Sequence, residues 1–295
     1  MITIHYADGY CHGSFDTHAK AGLVADRIRD LPGVELVEPE PVTMTDLEAV
    51  HSRRYLSAMC TGDPEHLAWS NGFEWSEDLL RGTLLTTGGA VAAARQAYMT
   101  GGISGSLSSG LHHASWDQGN GYCTFNGLAL GALEARRLGA DRVLILDLDA
   151  HCGGGTADII RRHRGIEQVD VSVIGFDHYT SDDIARLTLS GGSEYLDVVG
   201  EAIAAIDDPA GIDLVVYNAG MDAHEAAGGA DGITTDVIVA RERLVFDWAS
   251  RWNLPVAFVL AGGYRTGRFD LDDVADLHAR TVLAALGERT RTLGV

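Results

Sequence analysis

The run Val143-Leu144-Ile145-Leu146-Asp147-Leu148-Asp149-Ala150-His151 is apolar through its first half and then delivers acidic and imidazole side chains. A strand buried on both faces reads as a continuous Val/Ile/Leu run, and its charges appear where the chain leaves the sheet at the carboxyl end. Similar apolar runs lie at residues 103–107, 169–174, 214–217 and 256–260, with shorter ones at 1–6 and 34–37. Helical patterns fall between them at 17–30, 52–59, 125–138, 156–163, 193–206, 234–252 and 270–286. A long helix is expected from Ser76 to about Tyr98, interrupted at Gly88-Gly89, and a short one near Asp46 after Thr45. Strands alternating with helices imply an α/β protein with a central parallel sheet flanked by helices on both faces. No repeat or linker divides the chain, so residues 1–295 are expected to form a single domain.

Composition narrows the function. With a formal net charge of −20, the chain is not expected to contact nucleic acid directly, because such binding needs Lys and Arg to neutralise phosphates. Lys20 is the single lysine, which reads as a compositional bias. No segment reaches the length of a membrane span or forms a leader, so a cytoplasmic protein is expected by default. Cys11, Cys60, Cys123 and Cys152 are scattered, which points to neither a disulfide framework nor a structural zinc knuckle.

Four loops that follow apolar runs carry the unusual residues. They are Leu111-His112-His113-Ala114, Asp147 to His151, Asn218-Ala219-Gly220-Met221-Asp222-Ala223-His224 and Leu260-Ala261-Gly262-Gly263-Tyr264. Open α/β sheets bind ligands at the carboxyl ends of their strands. Alternation places Asp147, Asp149 and His151 on one face, so Asp149 and His151 can converge on one point. Carboxylate with imidazole suits zinc or a similar divalent ion.

Together with Val50-His51-Ser52, Phe73-Glu74-Trp75-Ser76-Glu77 and Gly121-Tyr122-Cys123-Thr124-Phe125-Asn126, these motifs resemble the zinc-dependent histone deacetylase family of the arginase/deacetylase fold, closest to its class IV-type and bacterial branches. The resemblance implies a deacylase acting on acyl-lysine or an acylated small amine, with one Zn2+ per chain on Asp149, His151 and Asp222. It implies that His112 and His113 handle protons, that Tyr264 donates to the tetrahedral oxyanion, and that Asp147 orients His112. Tyr122, Gly121 and Gly263 fall at substrate-binding positions. It also implies a structural K+ held around Asp147, Asp149, His151, Ser172 and Val173.

The chain departs from that family at several points. Gly154 stands where an Asp or Asn generally supports the second histidine, so His113 is expected to work with less electrostatic help, or another group to substitute. Cys152 is expected to turn away from the metal as a buried, inert residue. Phe176 and Tyr179 are the candidates for a second aromatic wall. His5, His12 and His18 read as surface or rim groups, His224 as a neighbour of the ligands and His51 as a packing residue. Two other functions are weighed: an arginase- or agmatinase-like ureohydrolase, which needs a further Asp where Gly153 stands, and a non-catalytic acyl-ligand binder, for which Tyr264 and both histidines would be superfluous.

Overall fold

The computed structural model describes residues 1–11, 13, 15–109 and 111–287. Eight parallel strands form one sheet: β1 (Ile2–His5), β2 (Val34–Val37), β3 (Ile103–Ser106), β4 (Val143–Asp147), β5 (Ile166–Ser172), β6 (Ala185–Leu189), β7 (Leu214–Asn218) and β8 (Val256–Val259). Their spatial order is β2-β1-β3-β8-β7-β4-β5-β6. The alternation within β4 explains why both faces are covered. Leu144 and Leu146 enter a core shared with the helices Asp16–Ile28, Thr235–Trp252 and Leu271–Ala285. Val143 and Ile145 enter the opposite core, beneath the helices Glu77–Thr100, Gly127–Leu138 and Gly154–Ile160.

Two local expectations are corrected. β6 was not anticipated, because as the edge strand it is only half-buried and Arg186 and Thr188 break any apolar run. The helix Glu77–Thr100 is continuous through Gly88-Gly89. A Cβ at Gly88 would lie 2.1 Å from the Glu40 carbonyl oxygen, and one at Gly89 would lie 1.6 Å from the Tyr10 hydroxyl. Those glycines serve close packing across the helix rather than a break in it.

The order of the strands positions the site. β3, β8, β7, β4 and β5 are consecutive neighbours, so the segments after them emerge side by side at one end of the sheet. All four unusual loops follow strands in this set.

Beneath them lies a buried cation. Arg241, on the helix Thr235–Trp252, donates through Nη1 to the carbonyls of Leu148 at 3.0 Å and Gly220 at 2.7 Å. Its Nη2 pairs with Glu242 at 2.6 Å, and both side chains are fully buried. Leu148 directly precedes Asp149, and Gly220 lies two residues before Asp222, so Arg241 ties together the two turns that carry these acids. Arg241→Met removes one partner and leaves Glu242 as an uncompensated buried charge. The expected cost is about 3–5 kcal/mol of folding stability, readable as a drop in the urea midpoint; an unchanged midpoint would contradict this role.

Candidate metal centre and proton-transfer site

Asp149 and His151 leave the end of β4, and Asp222 leaves the end of β7. Their potential ligand atoms all lie within 4.8 Å of one another. The His151 ring nitrogen Nδ1 is 3.2 Å from Asp149 Oδ1 and 3.1 Å from Asp222 Oδ2. Backbone amides hold both acids in place: His151 N donates to Asp149 Oδ1, and Ala150 N donates to Asp222 Oδ1. Asp222 Oδ2 is buried, and apart from its 3.1 Å approach to His151 Nδ1 it meets no donor in hydrogen-bonding geometry. A buried carboxylate oxygen without a donor is costly unless a cation completes its environment. Two carboxylates and an imidazole therefore fit a divalent ion. Gly262, at φ 57°, allows the next turn to close over them, since a Cβ there would lie 2.3 Å from Asp222 Cγ.

The two histidines of the β3 loop lie against this triad, their ring centroids 3.9 Å apart. His112 Nδ1 is 2.8 Å from Asp147 Oδ2, and Asp147 Oδ1 accepts from Asn218 Nδ2 at 2.8 Å. Nε2 of His112 thus faces the triad, 3.5 Å from Asp149 Oδ1. Burial opposes a charge on His112, but the carboxylates of Asp147 and Asp149 outweigh it and push its pKa up to about 10. His113 goes the other way. Burial, reinforced by the neighbouring His112 charge, brings it down to about 4, although Asp177 and Asp149 favour its charged form. The two adjacent rings are thereby pushed in opposite directions, His112 toward its charged form and His113 toward its neutral one.

Tyr264 comes from the loop after β8. It lines the same small pocket as His112, His113, Asp149, His151, Gly121 and Tyr122. Burial and the charges of Asp222 and Asp149 raise its pKa, so its hydroxyl keeps its proton. A side chain at Gly121 would lie 2.4 Å from the His113 ring, so glycine is what lets this turn reach the pocket. Gly263 is turned toward Val274 and His278, and Gly262 is the glycine that lines the pocket.

A histone deacetylase domain model matches residues 15–180. An uncharacterized protein of Picosynechococcus sp. is 30% identical over 80% of this chain and 81% of its own length. A protein named probable deacetylase from Methanothermobacter thermautotrophicus is 29% identical over 88% of this chain and 82% of its own length. Histone deacetylase 2 of Arabidopsis thaliana is 28% identical over 78% of this chain and 63% of the plant protein. The chain belongs to the histone deacetylase family. Its fold agrees with the crystal structure of the HDA15 HD domain, at a TM-score of 0.76 and 19% identity over 98% of this chain and 89% of that one.

Against the pattern expected of a histone deacetylase, the remodelled segments have definite places. Phe176 is 45% exposed and meets His113 edge-to-face at 4.9 Å and His151 at 6.0 Å, so it stands beside the triad. Tyr179 does not: it is buried and bonded to Gln168 Nε2 at 2.8 Å. On the other side, Tyr122, at φ 64° and 44% exposed, packs on Phe15 at 4.4 Å and Phe73 at 5.3 Å. Cys152 is buried, with its thiol 3.6 Å from the Ile174 carbonyl and its pKa pushed up to about 12 by burial. It takes no part in the triad. Ser172 and Val173 lie alongside the end of β4, where Val173 N donates to Ala150 O and the Ser172 hydroxyl turns to Asp170.

Among the histidines, His5 and His18 are buried rather than superficial, and His12 lies outside the described residues. His51 packs as expected, bridging Ser115 O and Asn126 N through its two ring nitrogens. His224 accepts from Ala226 N and stacks on Phe269, away from the triad.

Sequence reasoning missed two contributors. Lys20 is almost fully buried, and its Nζ donates to the Gly262 carbonyl and, at 3.4 Å, to Ser109 Oγ. Burial lowers its pKa to about 7 against the pull of Asp222, Asp149 and Asp16. It supports the turn that precedes Tyr264, which a compositional reading of one lysine could not reveal. The second is Asp177, whose Oδ2 lies 2.9 Å from His113 Nδ1.

Proposed function

We propose that this chain is a metal-dependent amide hydrolase that removes the acyl group from an acylated amine, of the acyl-lysine or acylated small-amine class, leaving a carboxylate and a free amine. The observation that carries the reading is the meeting of the Asp149–His151–Asp222 triad with the split His112–His113 pair at one pocket. The donor set favours zinc or a similar divalent ion.

A divalent ion on Asp149, His151 and Asp222 would polarise the amide carbonyl and acidify water beside it. The protein's own groups do the rest. Neutral His113 accepts the proton of the attacking water, and His112, kept protonated by Asp147, offsets negative charge and supplies a proton to the departing amine. Environments that push neighbouring pKa values apart are how acid and base roles are assigned. The Tyr264 hydroxyl donates a hydrogen bond to the tetrahedral oxygen. Phe176 and Tyr122 flank the reacting group and limit access of water. The segment formed by Asp147, Asp149, His151, Ser172 and Val173 stands as the candidate holder of a structural K+.

The ureohydrolase reading is less well supported. Gly153 supplies no carboxylate, and among the described residues a single group of side chains has metal-ligand spacing. The test is a screen of metal-loaded protein against acyl-lysine peptides and acylated small amines, reading release of free amine. Turnover with about one ion per chain, lost on chelation, is expected. Two ions per chain with urea release would replace this reading, and ligand binding without turnover would favour a binding protein.

A further inference from the structure

The Gly175-Phe176-Asp177 turn after β5 grips the His113 ring from two directions. The Phe176 and His113 rings meet edge-to-face, with centroids 4.9 Å apart and an interplanar angle of 87°. Asp177 Oδ2 takes the ring's Nδ1 at 2.9 Å and also accepts from Gly155 N at 3.1 Å. Asp177 achieves this at φ 59°, a left-handed conformation uncommon outside glycine but tolerated by Asp and Asn.

Gly154 explains how the turn comes so close. It opens the helix Gly154–Ile160 without a left-handed φ, so its own backbone would accept alanine. What forbids a side chain is the neighbour: a Cβ would lie 2.3 Å from the Asp177 carbonyl oxygen and 2.7 Å from its Oδ1. The carbonyl is backbone and can move away only if the whole turn moves.

We propose that Asp177 is the positioning residue of His113, and that Gly154 is the space that admits it. An acceptor at Nδ1 holds the ring in the tautomer whose Nε2 lone pair is free to take a proton, and fixes the ring's direction. Because Phe176 and Asp177 are consecutive, the wall beside the reacting group and the support behind the base belong to one rigid turn. The proposal rests on the reading of His113 as the base.

The test uses the metal-loaded full chain and the variants Asp177→Ala, Asp177→Asn and Gly154→Ala. Asp177→Ala is expected to lower kcat by about 10–100-fold, the usual loss for a supporting partner of this kind, with KM within about twofold and metal content unchanged. Asp177→Asn, which still offers an oxygen to Nδ1 and tolerates the left-handed φ, should recover most of that loss. Gly154→Ala should reproduce the Asp177→Ala defect, although alanine is the better helix former. Nitrogen-15 NMR of the histidine rings supplies a readout independent of turnover: His113 should be an Nδ1–H tautomer in the parent chain and a tautomer mixture in Asp177→Ala. An unchanged His113 spectrum in Asp177→Ala, or an unchanged kcat in an active enzyme, would overturn the role of Asp177. Parent-like kcat in Gly154→Ala would overturn the role of Gly154. If the parent chain cleaves no acylated amine, the hydrolase reading fails, while the NMR comparison still decides whether Asp177 holds the ring.

Discussion

Asp222→Asn is expected to weaken metal binding by more than about a hundredfold, beyond what loss of a mere supporting group costs, and to lower turnover by about a thousandfold, since polarisation by a bound ion contributes several kcal/mol to the barrier. The side chain keeps its shape and can still accept the Ala150 amide through Oδ1. What disappears is the charge on Oδ2, the buried oxygen that faces His151 and the would-be ion. The same change should make the metal-free protein more stable. Burial and the nearby Asp149 carboxylate both disfavour the charged form of Asp222 and raise its pKa. Removing that charge relieves the repulsion, an instance of a site built at the expense of stability. Metal analysis and thermal unfolding of chelated samples check both halves. Full metal occupancy in the variant would exclude Asp222 as a ligand.

Tyr264→Phe should lower kcat by about 100–1000-fold, the range for removing one donor to a developing oxyanion, with the metal content intact. The ring remains, so its contact with Phe15 at 6.0 Å and the backbone bond from Tyr264 N to Ala227 O at 3.0 Å are retained. Because the pKa of Tyr264 is raised, the phenol stays protonated through neutral pH and the loss should not vary between pH 6 and 9. A variant that keeps its kcat while KM rises would move Tyr264 from oxyanion stabilisation to substrate binding.

Phe176 packs against His113 and His151, and Phe15, Phe73 and Tyr122 form an aromatic cluster of their own. Among the described residues no helix is long and apolar enough to cross a membrane.

Much of this was legible because the residues involved obey local rules. The β4 run had to be a strand covered on both faces, and a strand's carboxyl end had to present Asp147, Asp149 and His151 together. Edge strand β6 was not legible, since one solvent-facing side removes the apolar run that marks a buried strand. Gly88-Gly89 misled for a related reason: glycine in a helix signals a break by propensity, whereas here it signals a neighbour, the Tyr10 hydroxyl and the Glu40 carbonyl.

The division is sharpest around the two histidines. Sequence by itself placed Asp147 with Asp149 and His151 through alternation, and the family resemblance it carries implied that Asp147 orients His112. It also exposed the gap at Gly154. Only the tertiary structure brought Asp177 to that gap, since it belongs to a separate turn after β5 and stands 64 positions beyond His113 in the chain. It likewise decided that Lys20 and Arg241 brace the turns carrying Tyr264, Asp149 and Asp222. Local patterns record which way a side chain points along its own element. Which distant group it meets depends on how the strands are ordered and how closely their loops approach.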